Sequence, residues 1–137
     1  MIKFDAKILP EAVQKGYENR SMLKNTDLMI PGVKFVSGLT YKKLLKWQKA
    51  IVIYQAIGGK ENQCHFGLLV KYGGRLITYD GVKDFWPLRF AEKSYHWEEQ
   101  KNAWSCGYAA LFWAHTILQY GLDRWVAEQE PCTPNYS

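Results

Sequence analysis

The sequence has only three cysteines among its 137 residues, at positions 64, 106 and 132, and contains no Cys-x-x-Cys or His-x-x-x-His spacing. An odd, scattered set excludes a disulfide framework. The same absence argues against a zinc site built from Cys64, His65, His96, Cys106 and Cys132, so no metal and no cofactor is expected. No apolar run approaches the roughly 20 residues of a membrane span, and a membrane role is not expected. The opening Met1-Ile2-Lys3-Phe4-Asp5 sets an acid where a secretory signal carries its apolar stretch, which points to an intracellular chain. Neither Gly58-Gly59 nor Gly73-Gly74 leads into a Lys-Ser/Thr pair, so both read as turns rather than phosphate loops. Internal repeats and low-complexity segments are also lacking, which excludes solenoids and arrays.

What is present is an apolar share of 47% with six Trp, nine Tyr and six Phe, the composition of a folded chain with aromatic-rich layers. The length suits one compact domain over residues 1–137. A formal charge of +5 allows weak nucleic-acid affinity, although Lys42, Lys43, Lys46 and Lys49 are spaced like a solvated helix face.

Along the chain, Pro10 and the stripe Ala12, Val13, Tyr17 and Leu23 predict a helix over 10–24, followed by a break at Pro31-Gly32. A second helix is predicted over Tyr41–Gln48. The β-branched run from Ala50 to Ile57 reads as a buried strand. The runs His65–Tyr72 and Arg75–Asp80, separated by Gly73-Gly74 alone, read as a hairpin. The segment from Trp86 to Gln100 reads as loop. Cys106–Tyr120, with Ser105 as N-cap and Gly121 just past its end, reads as a helix apolar nearly all round and therefore buried.

Cys106 then stands at a helix start, where unsatisfied N–H groups and the macrodipole favour a thiolate nucleophile. With a two-residue loop, paired positions in the hairpin sum to 147, so Gly67 faces Asp80. His65 and Asp80 become diagonal neighbours on one face, and Gly67 leaves room for an imidazole to lean toward the carboxylate. Gln100, six residues before Cys106, is placed to donate to a developing oxyanion together with the Cys106 backbone N–H. Asp84 shares the parity of Asp80 and is the reserve acid. His96 lacks a strand and a carboxylate at hairpin spacing, and His115 inside the buried helix reads as a core histidine bonded to a neighbour.

The order His65, Asp80, Gln100, Cys106, closing on Gln100-Lys101-Asn102-Ala103-Trp104-Ser105-Cys106-Gly107, resembles the adenovirus-protease-like cysteine peptidases, which include the proteases of ubiquitin-like modifiers. The resemblance covers roughly residues 49–120. It implies an α+β, papain-like fold of permuted order, with a central antiparallel or mixed sheet packed on a buried helix that starts at the nucleophile. It also implies a triad of Cys106, His65 and Asp80, with Gln100 in the oxyanion hole and Phe66 and Trp104 toward substrate. Phe66 stands where most of the family has Trp after the His, and the interval from Asp80 to Gln100 is short. Both features favour a compact viral or mobile-element endopeptidase acting on a precursor polyprotein, in host cytoplasm, nucleus or virion. Removal of ubiquitin-like modifiers is the alternative substrate class. Acetyl transfer through the same cysteine, and a silent module that binds protein or nucleic acid, are the other functions compatible with these residues.

Overall fold

A computed structural model describes residues 4–57, 64–79, 93–95 and 104–128, with the side chains of 56, 57, 64 and 93–95 outside the description. The β-branched run forms β2 (Lys49–Ile57), and the two runs flanking Gly73-Gly74 form β3 (Cys64–Tyr72) and β4 (Arg75–Tyr79). Gly73 takes φ +58°, so the turn needs its glycine. The hairpin register runs from Tyr72↔Arg75 to Leu68↔Tyr79, which is the two-residue loop expected from the sequence.

Two outer strands complete a five-stranded mixed sheet in the order β1-β2-β3-β4-β5. β1 (Lys34–Ser37) lies parallel to β2, and β5 (Lys93–Tyr95) lies parallel to β4. The presence of β5 corrects the expectation of loop throughout Trp86–Gln100. At three residues it is too short to show a period of two.

Period-two alternation divides the sheet into two apolar faces. Ile51, Ile53, Phe66, Leu68, Val70, Ile77 and Tyr79 face the buried helix α3 (Cys106–Tyr120), whose Leu111, Ala114 and Ile117 are fully covered. Ala50, Val52, Tyr54, Leu69 and Leu76 form the other face with Leu39 and Leu44. The architecture is therefore α+β, with a mixed sheet packed on a long apolar helix.

The N-terminal helix is shorter than its stripe suggested: α1 spans Glu11–Glu18 and ends where Arg20 adopts φ +54°. Leu23 still packs on the core from the following segment. Helix α2 likewise stops early, at Tyr41–Leu45, capped by the Thr40 hydroxyl accepting from the Lys43 N–H. Its lysines diverge in role, because Lys42 and Lys46 are exposed while Lys43 Nζ donates to the Gly38 carbonyl at 2.7 Å.

Gly121, at φ +101°, ends α3 and lets the chain turn into α4 (Leu122–Ala127), an element not anticipated. Trp125 of α4 is fully buried and its Nε1–H donates to Tyr79 Oη at 2.8 Å. On the rim, Asp123 accepts from Tyr72 Oη at 2.6 Å and from Lys49 Nζ at 3.0 Å, which ties α4 to β2 and β3. Those bonds hold the Asp123 carboxyl below its ordinary range and the Lys49 amine above its own. No described helix is long and apolar enough to cross a membrane.

Candidate active site

Cys106 is the first residue of α3, retains its thiol and is 2% exposed. Ser105 holds the N-cap position, as expected, but without a side-chain cap. Its backbone already has helical angles (φ −88°, ψ −8°), so the hydroxyl makes no cap bond, while its carbonyl accepts the first intrahelical bond, from the Ala109 N–H at 3.1 Å. The position of Cys106 at the positive end of the macrodipole is unaffected.

The next residue shows how closely the helix start meets the sheet. A Cβ added to Gly107 would lie 3.3 Å from Leu23 Cδ1 and 3.6 Å from Phe66 Cδ2. Phe66 is 3% exposed, with Phe35 at 6.4 Å between ring centroids, so it is enclosed at the helix start. His65 precedes it in β3, opposite Ala56. The start of β3 and the start of α3 thus come together at one end of the molecule. Alternation, however, assigns His65 to the face of Gly67 and Leu69, opposite the face that α3 covers. An imidazole meeting the Cys106 thiol has to do so around the beginning of the strand.

Trp104 is half-buried in an aromatic cluster, 5.3 Å from the Tyr17 ring and 5.8 Å from Tyr108. Phe4 and Phe112 extend this cluster along α1 and α3. Tyr108 is anchored below it, its hydroxyl donating to the Ser21 carbonyl. Asp80, Gln100, Asp84, His96 and Cys132 lie outside the described residues, and so does the pairing of Gly67 with Asp80.

His115 corrects one expectation. It sits in α3 as foreseen, but its buried Nε2 has no hydrogen-bond partner among the described residues. Burial pushes its pKa below the ordinary value of 6.5.

A polar group at the same sheet end escaped sequence reasoning. Gln55, 8% exposed, continues the α3-facing positions Ile51 and Ile53 of β2. Its Oε1 accepts from Asn25 Nδ2 at 3.1 Å and Ser37 Oγ at 3.4 Å. The available signal was a lone amide interrupting the apolar run Ala50–Ile57. No protein-family model matches the chain, and neither a curated protein nor a solved structure matches it significantly.

Proposed function

We propose that the chain is a cysteine peptidase with a papain-like arrangement in permuted order. In this reading Cys106 attacks the carbonyl of a peptide or isopeptide bond. His65 takes the thiol proton and passes it to the leaving amine, and Asp80 orients the imidazole. Gln100 and the Cys106 backbone N–H receive the charge on the tetrahedral oxygen, and water then releases the acyl-enzyme. The observation that carries the reading is the placement of Cys106 as the opening residue of a buried helix whose start meets the start of the His65 strand. A helix start favours thiolate, and in this reading the His65 imidazole, reaching around the beginning of its strand, supplies the base. The preferred substrate is a precursor polyprotein, with ubiquitin-like conjugates as the second class. The test is hydrolysis of a peptide library by wild type and by Cys106→Ala. Cleavage by the former and none by the latter is expected; equal rates, or no cleavage by wild type, would remove the proposal.

Two observations favour a second reading, a binding module without turnover. His65 belongs by alternation to the face that α3 does not cover, and the Cys106 thiol is 2% exposed. Partner binding with a dependence on salt and no hydrolysis would select the module.

A further inference from the structure

Gln55 lies opposite Phe66 in the register of β2 and β3, on the face that α3 covers. Phe66 reaches Gly107, and Gly107 is also reached by Leu23. Two residues after Leu23, Asn25 returns to Gln55 through its amide. Gly107, Leu23, Asn25, Gln55 and Phe66 therefore close a ring of contacts and bonded neighbours one residue from Cys106. Ser37, opposite Gln55 on the edge strand β1, completes the polar part.

An isoleucine at position 55 would extend the apolar stripe of Ile51 and Ile53 with no polar group to desolvate. The amide instead holds two exposed side chains in one orientation. Asn25 and Ser37 both spend a hydrogen on Gln55 Oε1, which leaves Asn25 Oδ1 and the lone pairs of Ser37 Oγ as acceptors on two exposed residues. Apolar residues stand within four positions of them along the chain: the half-buried Leu23 and Phe35, and the exposed Met22 and Met29. Fixed acceptors beside apolar surface suit the main-chain N–H groups of an extended polypeptide with apolar side chains.

We infer that Asn25, Ser37 and Gln55 form a subsite that binds the main chain of an extended polypeptide substrate next to Cys106. The inference rests on the peptidase reading. Asn25 and Ser37 are positioning residues here, acting on binding rather than on bond cleavage.

The experiment uses a peptide that the wild-type chain cleaves from the library, and a series of the same peptide with each backbone nitrogen methylated in turn. In the double variant Asn25→Ala, Ser37→Ala, both exposed positions, KM should rise about tenfold while kcat stays within about twofold, the pattern of lost uniform binding. One N-methyl peptide should raise KM by a similar factor in wild type and add nothing in the variant. A merely structural role would not move that coupling. An unchanged KM, or the same N-methyl penalty in both proteins, overturns the subsite and leaves the peptidase reading standing. Absence of cleavage by wild type overturns both.

Discussion

Gln100 and His65 act at different moments of the proposed reaction, and their variants should fail in different ways. Gln100→Ala removes a donor to the tetrahedral oxygen and is expected to lower turnover by about 10²-fold or more while iodoacetamide still labels Cys106. His65→Ala removes the base and is expected to suppress both turnover and labelling near neutral pH. A Gln100→Ala protein with near wild-type turnover, on a substrate whose chemical step limits the rate, would cancel the oxyanion assignment. Of the residues in this scheme, Cys106 was the most legible, because a helix start is marked by local pattern alone. His65 was legible as a strand residue, but its side was not: the apolar stripe of Phe66, Leu68 and Val70 decides which face meets α3, and the sequence does not say where the helix will lie. Gln55 carries no such mark, because a single amide in a strand has no periodic signature.

At the scale of elements, α1 and α3 meet through one tight contact. A Cβ added at Gly16 would stand 2.7 Å from the Tyr108 hydroxyl, itself bonded to the Ser21 carbonyl. Gly16→Ala should therefore destabilise the protein even though Ala is the better helix former. In a Tyr108→Phe background the same change should be neutral or stabilising by about 0.5–1 kcal/mol, since the hydroxyl is gone and helix propensity remains. Chemical denaturation of the four proteins checks the sign change. Element legibility followed length and composition. β2, the β3–β4 hairpin and α3 carry long apolar runs bounded by glycine or serine, and their limits were close. β1, β5 and α4, at four, three and six residues, are too short for periodicity and are held by tertiary contacts such as the Trp125–Tyr79 bond.

For the whole molecule, His115 gives stability a dependence on pH. Its folded pKa lies below 6.5, so the unfolded chain binds the proton more tightly. The stabilisation is complete above about pH 6.5 and is lost as pH falls from there toward the folded value. Asp123, whose folded pKa is depressed, loses its contribution in a separate window, as pH falls below its ordinary 3.8. Thermal denaturation of wild type should thus show Tm declining between pH 7 and 5, and His115→Gln should flatten that decline. An identical slope in both proteins would place the titration elsewhere.

The order β1-β2-β3-β4-β5, with antiparallel pairing at the centre and parallel pairing at both edges, also sets a sequence of events in time. The central three strands come from one continuous stretch, 49–79, whose last loop is two residues, so their closure entropy is small. Each edge strand pairs in parallel with its neighbour, so neither can form through a two-residue turn, and β1 joins β2 only through α2. The centre is expected to form first and open last. In native-state hydrogen exchange the amides of Leu68, Leu69 and Val70 should exchange only by global unfolding, while those of Phe35 and Val36 exchange through a smaller, earlier opening. Equal protection in β1 and β3 would mean that the edge and the centre rise and fall as a single cooperative unit.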